Sequence, residues 1–332
     1  MIRIGTRGSV LALAQAALVR AGLGGDAEIV PMRTEGDRLA EARLAAIGGK
    51  GLFVREIEDA LLHGEIDLAV HSLKDLPAET PAGLVLAAYL PREDPRDVLA
   101  GRTHVTLEDL PAGAVIGTSS PRRRALVLAV RADLTIEPLR GNVDTRLRKL
   151  AGGGFDAIVL AAAGLRRLGL APAHCTPLDA ETFVPAVGQG IIVVEARADD
   201  AATLARVSGL DHAPTRACAL AERAYLARLG ASCTTPVAAH ARLDGATLRM
   251  TAIVVSEDGR QVLRSSAAAP AADAEPLGRG LADALLAQGA ARIADLHPPE
   301  VERSHPPEVE RSREASMSGH PRHEPGSRSP LQ

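Results

Sequence analysis

The strongest constraint on the fold is a rhythm. Short apolar runs recur along the first two thirds of the chain, each followed by a polar turn and then a helical stretch. Runs that short, set between helical segments, are buried strands. Strand–turn–helix repetition builds a largely parallel sheet with helices on its faces. The first array has expected strands at Arg3–Gly5, Ala27–Pro31, Leu68–Val70 and Leu84–Tyr89, with helices at Val10–Ala21 and Phe53–His63. A second array starts near Ala114, with strands Ala114–Gly117, Leu134–Pro138 and Ala157–Ala162 and helices after Ser120 and over Val143–Ala151. Between them, Pro91–Asp97 carries two prolines among five charges, the composition of an interdomain crossing or of a solvated charge run. A strand at Ile191–Glu195 then rejoins the first sheet.

Two βα lobes joined by crossing segments resemble the periplasmic-binding-protein-like architecture, with a ligand between the lobes. The expected fold class is therefore α/β, with two such lobes plus a small C-terminal α+β domain. Residues 1–92 with 190–210 form lobe 1 and residues 97–186 form lobe 2. Residues 213–296 form the third domain: a helix over Pro214–Leu229 stopped by Gly230, a hairpin of Thr247–Val255 and Gln261–Ser266, and a helix over Leu277–Gln288. Within the first helix Leu220, Ala221, Ala224 and Tyr225 read as the packed side, against Arg216, Glu222, Arg223 and Arg228. From His297 the sequence HPPEVERS occurs twice in succession, followed by a stretch rich in Pro, Ser, Arg and His. Residues 297–332 are expected to be a disordered tail.

Composition removes several function classes. Net charge is −3, and aromatic residues make up 2% of the chain with no Trp, so neither a basic stripe nor a base-stacking platform is available. No nucleic-acid partner is expected. The chain has no apolar run near membrane length and no leader ahead of Ile2, which points to a cytoplasmic protein without a membrane partner. Its three cysteines, Cys175, Cys218 and Cys233, follow neither a disulfide nor a zinc spacing, and no metal is expected.

Chemistry concentrates at the strand ends. The stretch Asp67–Pro77 begins as a buried strand and breaks into His71, Ser72, Lys74 and Asp75, where an open α/β sheet places its ligand. A lysine beside an aspartate yields a carboxylate that stays ionised yet can exchange protons with a substrate nitrogen; the alternative is a surface ion pair on a capping loop. After the first strand, Thr6–Ser9 aims backbone N–H groups and Arg7 at an anion, or simply forms a capped turn. Gly48–Gly51 carries Lys50 but lacks the spacing of a phosphate-binding loop, and fits a lid with one cation. Thr118, Ser119 and Ser120 precede Pro121 and three arginines, Arg122–Arg124. Arginines in a first helical turn oppose the helix dipole, so their placement favours an anion site. Arg140 and Arg146 follow the next strand, and Arg166 and Arg167 the one after. Three strand ends that each deliver arginine suggest a cationic cleft for a polycarboxylate. Cys175 and Cys218 read as small packed hydrophobes. Cys233, among hydroxyls in the loop after Gly230, suits a reactive thiol.

These residues lie in long motifs. In order they are IGTRGSVLALAQA, GGKGLFVREIE, AVHSLKDLP, REDPRDVL, IGTSSPRRRA, LRGNVDTRL, AAAGLRRLGL, VPAVGQG and SCTTP. Over Ile2–Leu296 the chain resembles the hydroxymethylbilane synthase family, also called porphobilinogen deaminase. The resemblance implies a monomeric transferase of tetrapyrrole (haem) biosynthesis that condenses four porphobilinogen molecules into a linear tetrapyrrole and releases four ammonia. It implies a dipyrromethane cofactor held through a thioether at Cys233. Loss of ammonia from porphobilinogen leaves an electrophilic methylene carbon, which a thiolate or an electron-rich pyrrole carbon attacks. By resemblance Asp75 is the catalytic carboxylate. Lys74, Asp75, Thr118, Ser119, Ser120, Arg122, Arg123 and Arg140 hold the cofactor, and Arg7, Arg146, Arg167, Gln189 and Lys50 meet the substrate. The sequence departs from the family around the cysteine: Ala231, Ser232 and Thr234 stand where Gly-Gly and Gln are usual. A two-lobed anion- or solute-binding or effector-sensing protein without catalysis would share the lobes and anion sites, but would need neither Asp75 in the cleft nor Cys233 on a third domain.

Overall fold

The computed structural model describes residues 1–32, 54–103, 106–232 and 234–299. These form one compact unit that runs to Pro299. Lobe 1 holds β1 (Ile2–Arg7), α1 (Val10–Gly22), β2 (Ala27–Met32), α2 (Arg55–Leu62), β3 (Leu68–Ser72) and β4 (Leu84–Tyr89). A single 3-10 turn, Leu73–Asp75, follows β3 directly. Ser9 caps α1, its hydroxyl accepting from the Ala12 amide. The expected helix at Phe53–His63 is observed from Arg55, and Ile57, Ala60 and Leu61 form its buried face as their spacing requires. Phe53 of that helix, and the expected lid with Lys50, lie outside the described residues.

Lobe 2 holds β5 (Asp97–Gly101), β6 (Val115–Gly117), α3 (Pro121–Val130), β7 (Thr135–Glu137), α4 (Val143–Ala151), β8 (Ala157–Ala161), α5 (Ala162–Arg167) and β9 (Cys175–Pro177). The chain returns through β10 (Ile192–Arg197) and α6 (Ala201–Val207). The two five-stranded sheets repeat one plan. Lobe 1 has the order β2-β1-β3-β10-β4 and lobe 2 the order β7-β6-β8-β5-β9. In each, four strands run the same way and the fourth in order is antiparallel to both its neighbours. That fourth strand is the one entering straight from a crossing segment: β10 in lobe 1, as its sequence position implied, and β5 in lobe 2, which the charged segment before it concealed.

The two crossings lie side by side. The Glu93 amide donates to the Gly190 carbonyl at 3.0 Å, and Arg92 Nε donates to the Gln189 carbonyl at 2.9 Å. Gly190 has φ of +88°, and a Cβ there would overlap the Glu93 carbonyl oxygen, so both the conformation and the contact require glycine.

The third domain is α7 (Ala213–Leu229), β11 (Val237–Asp244), β12 (Thr247–Val255), β13 (Val262–Pro270) and α8 (Ala274–Ala287). Strand β11 was not read from the sequence. It pairs with β12 over its whole length, making a three-stranded antiparallel sheet covered by α7 and α8. Ala238, Ile253 and Val255, on the other face of that sheet, join the core of lobe 2. Cys218 is buried as expected, whereas Cys175 lies half-buried on strand β9.

Helix α7 corrects its simple amphipathic reading. Glu222 is 0% exposed and Arg223 is buried. The helix packs on its own sheet along one side and on lobe 1 and the crossing segments along another, so two of its charged residues point into protein. Glu222 accepts from Arg92 Nη1 at 2.6 Å, from the Gly188 amide at 2.7 Å and from the Ala241 amide at 2.7 Å. Arg223 donates to the carbonyls of Pro77 and Ala78 at 2.8 and 2.7 Å.

The end of the third domain also moves relative to expectation. Leu296 is in the core, Arg228 donates to the Pro299 carbonyl at 3.0 Å, and Gly230 is so close to the His297 carbonyl that a Cβ could not fit. Residues 297–299 therefore belong to the compact unit rather than to the tail. Truncation after Pro299 should leave the melting temperature unchanged, whereas truncation after Leu296 should lower it by a few degrees; thermal melts of the two forms check this. Glu222→Ala should cost about 3–5 kcal/mol in denaturant unfolding, because it leaves Arg92 buried and unpaired. The Arg92→Ala/Glu222→Ala double variant should lose less than the two single losses added together.

Candidate functional site

A cavity of about 410 Å³ opens where the two lobes and the third domain meet. Its lobe 1 wall is the 3-10 turn and the residues after it, including Lys74, Asp75 and Glu79. Its lobe 2 wall is the start of α3, with Ser119, Ser120, Arg122 and Arg123, together with Arg146 of α4. The return crossing contributes Val187 and Gln189, and α7 contributes Arg223 and Leu226. Ser232 and Thr235 line it from the loop that carries Cys233. Cys233 itself, like Lys50, lies outside the described residues.

Local sequence explains these positions. Strand β3 is buried along its length, and Pro77 ends the turn that follows, so Lys74 and Asp75 emerge at the sheet's end. Asp75 is exposed, and its carboxylate accepts no hydrogen bond among the described residues. The Ser120 hydroxyl caps α3 by accepting from the Arg123 amide, and Pro121 occupies the first helical turn. The Ser119 hydroxyl donates to the Leu139 carbonyl at 3.0 Å, and Thr118 is buried, its hydroxyl accepting from the Ser120 amide.

The three consecutive arginines divide. Arg124 is exposed, while Arg122 and Arg123 turn inward onto one buried carboxylate, Asp97. Arg122 also donates to the Val184 carbonyl at 2.8 Å, and Arg123 to the Val159 carbonyl at 2.9 Å. Burial acts to raise the Asp97 carboxyl, but Arg122 and Arg123 outweigh it and hold the group below the ordinary carboxylate range. Two guanidinium groups sharing one carboxylate leave net positive charge on the wall. Asp97 was read from the sequence only as part of a charged crossing, and no local pattern marks it as the arginines' partner. Arg223 was likewise read as a solvent-facing residue.

Burial pushes the Lys74 ammonium down to about 8; Asp75 and Asp97 oppose the shift, and Arg123 and Arg122 add to it. Desolvation and Arg123 lower Arg146 to about 10, and it donates to the Gly141 carbonyl at 2.7 Å. The cavity thus gathers Lys74, Asp75, Ser119, Ser120, Arg122, Arg123, Arg146 and Gln189. Arg7, Thr118, Arg140 and Arg167 stand off its wall. Arg167 donates to the Gly190 carbonyl at 2.6 Å, beside the crossings, and the Arg140 carbonyl accepts from Lys149. Such a site can hold several carboxylates against desolvated cations, with the Asp75 carboxylate on the same wall as Lys74.

Comparison with known proteins agrees with this geometry. Residues 2–205 match the family profile described as "Porphobilinogen deaminase, dipyromethane cofactor binding domain", and residues 216–287 match "Porphobilinogen deaminase, C-terminal domain". The chain belongs to the porphobilinogen deaminase family. The porphobilinogen deaminase of Trichlorobacter lovleyi is 47% identical over 306 residues, covering 90% of this chain and 98% of the relative. That of Desulforudis audaxviator is 51% identical over 295 residues, covering 87% and 96%. Among solved structures, the methionine binding protein MetQ is 15% identical with a TM-score of 0.40, covering 62% of this chain and 88% of its own. Within the family's architecture, the residues on the cavity wall fit a cofactor rich in carboxylates: Lys74, Arg122, Arg123, Arg146 and Arg223 line it, and the loop that carries Cys233 borders it.

A depressed lysine has a consequence for stability. Its folded value lies near 8 and its ordinary value is 10.5, so between these the unfolded chain binds more protons and stability rises with pH. The penalty is fully present below pH 8. In a cofactor-free Cys233→Ala background, Lys74→Met should therefore stabilise the protein at pH 7 by about 1–3 kcal/mol. That gain should shrink as pH approaches 10.5, which denaturant unfolding at several pH values measures.

Proposed function

We propose that this chain is a hydroxymethylbilane synthase: it joins four porphobilinogen molecules head to tail, releases four ammonia, and works from a dipyrromethane fixed to Cys233. The observation that carries the proposal is the convergence of Lys74 and Asp75, the α3 arginines and the loop flanking Cys233 on one cavity. The dipyrromethane, when bound, supplies an electron-rich terminal pyrrole carbon to which the incoming unit attaches.

The chain's own residues do the rest. Lys74, Ser119, Ser120, Arg122 and Arg123 hold cofactor carboxylates in the cavity, with Thr118 supporting the turn that presents the two serines and Arg140 assigned to the same group. Arg7, Arg146, Arg167, Gln189 and Lys50 are assigned to the substrate and the growing chain. Guanidinium–carboxylate contacts in a partly desolvated cleft contribute about 1.5–3 kcal/mol each. Asp75 meets the pyrrole nitrogens. As ammonia leaves porphobilinogen, positive charge develops on its ring nitrogen, and an ionised carboxylate within hydrogen-bond reach stabilises that charge. Deprotonation after each coupling restores the aromatic ring, and the same carboxylate faces the site of that step. Because all three walls come from one chain, the reading needs no second copy. We assign the protein as a cytoplasmic monomer whose partner is porphobilinogen.

Intact mass spectrometry tests the anchor. Wild-type protein should exceed its sequence mass by two porphobilinogen units less two ammonia. Cys233→Ala should have the bare mass and no activity, while Cys175→Ala and Cys218→Ala keep both adduct and activity. An adduct surviving on Cys233→Ala would overturn the assignment. Asp75→Asn should retain its circular dichroism spectrum and lose a factor of about 100 or more in turnover, the scale of a lost acid–base group. Near-normal turnover would move that role elsewhere.

A further inference from the structure

Asp97 is the first residue of β5 and is 0% exposed. Its Oδ1 accepts from Arg123 Nε at 3.0 Å, from Arg123 Nη2 at 2.7 Å and from Gln189 Nε2 at 3.1 Å; its Oδ2 meets Arg122 Nη2 at 2.7 Å. Gln189 is 1% exposed, and its Nε2 also donates to the Pro95 carbonyl at 2.7 Å. Both acceptors on that side require the amide N–H₂, because a flipped amide would set oxygen against two oxygens. The Gln189 carbonyl oxygen is therefore forced to the opposite side, where Lys74 Nζ approaches at 3.5 Å. Lys74 belongs to lobe 1, Gln189 to the return crossing, and Asp97, Arg122 and Arg123 to lobe 2.

We propose that Asp97 is a positioning residue: through Gln189 it aims a carbonyl oxygen at the Lys74 ammonium, and through Arg122 and Arg123 it fixes the cationic wall on the other side of the cavity. The inference rests on the functional reading above for its importance to turnover, but its effect on Lys74 can be measured without that reading. One buried carboxylate thereby sets the position of three of the cations meant for carboxylates of the bound chain. Among the described residues, the charged groups facing Lys74 are Asp75 and Glu79 on its own segment, Arg122 and Arg123 on α3, Arg146 on α4, Arg223 on α7 and Asp97 on β5. Of these, Asp75 and Asp97 favour the ammonium, while Arg122 and Arg123 disfavour it. Removing Asp97's charge leaves both guanidinium groups unopposed, so the sign of the change is fixed: Lys74 must lose its proton at lower pH.

The test is trace acetylation of Lys74 by acetic anhydride as a function of pH, read by peptide mass, on purified wild type, Asp97→Asn and Gln189→Met. The labelling midpoint should fall by about one pH unit in Asp97→Asn, the low end for loss of a neighbouring opposite charge. The alkaline limb of turnover should move with it. Gln189→Met keeps the Asp97–arginine pairs and removes the carbonyl that faces Lys74, so its midpoint should also fall. An unchanged midpoint in folded Asp97→Asn, even with a lowered melting temperature, would reduce Asp97 to a structural residue and overturn the proposal. Should Asp97→Asn fail to fold, an unchanged midpoint in Gln189→Met would overturn it instead. A wild type lacking the dipyrrole mass would remove the functional reading, while the labelling midpoints would still decide what Asp97 does to Lys74.

Discussion

The structure depends on one buried carboxylate, that of Glu222. It has no exposed surface, and it accepts hydrogen bonds from the outgoing crossing (Arg92), the return crossing (Gly188) and the third domain's own sheet (Ala241). An isolated carboxylate in such a place would cost several kcal/mol in lost hydration. It is tolerated only because every partner is in place at once, which makes the arrangement all-or-none. Arg92 is likewise committed, to Glu222, to the Gln189 carbonyl and to the Ala241 carbonyl. The third domain cannot shift on α7 without disturbing both segments that join the lobes. The cavity, whose walls come from all three parts, inherits its shape from that constraint.

Asp97 follows the same logic one step closer to the chemistry. Both Glu222 and Asp97 gather arginine and a group from the return crossing: Gly188 for Glu222, Gln189 for Asp97. The difference lies in the charge balance. Arg92 and Glu222 are a matched pair, so their contribution is geometric. Asp97 faces two guanidinium groups with Lys74 beyond, so the charge it leaves uncancelled is positive and faces the cavity. A helix that begins with three arginines works against its own dipole. Here one of the three reaches solvent, and the other two are held by a carboxylate from a different strand.

Much of this was legible in the sequence, and what was not has a common cause. Strand β4, strand β12 and helix α4 have the bounds their patterns suggested, because each is decided by local periodicity and a terminating residue. Lys74, Asp75 and the α3 arginines were legible because they sit directly after buried runs. Strand β11 was missed: it follows a polar loop, is rich in alanine and carries His240, Arg242 and Asp244, so only its pairing with β12 identifies it. Glu222 and Arg223 looked solvent-facing because a helix wheel assumes one buried side, and α7 has two. The partner of Arg123 lies 26 residues away and that of Arg92 lies 130 away. No local pattern encodes such pairings.

Asp97 behind the cavity wall and Asp75 on it also separate two requirements that sequence alone cannot distinguish. Asp97 is buried and held by Arg122, Arg123 and Gln189, which suits a group that must never change partners. Asp75, on a one-turn helix ended by Pro77, is exposed and accepts no hydrogen bond among the described residues. A carboxylate that serves a succession of pyrrole nitrogens, each arriving where the last one left, must be free of fixed donors, since every committed bond would have to break in each cycle. Two cations of the cavity stand near it, Lys74 beside it in the chain and Arg146 from lobe 2. The wall therefore supplies charge without geometry to Asp75, and geometry without freedom to Asp97. On the proposed function, that division would let one site hold its cofactor rigidly while Asp75 stays available.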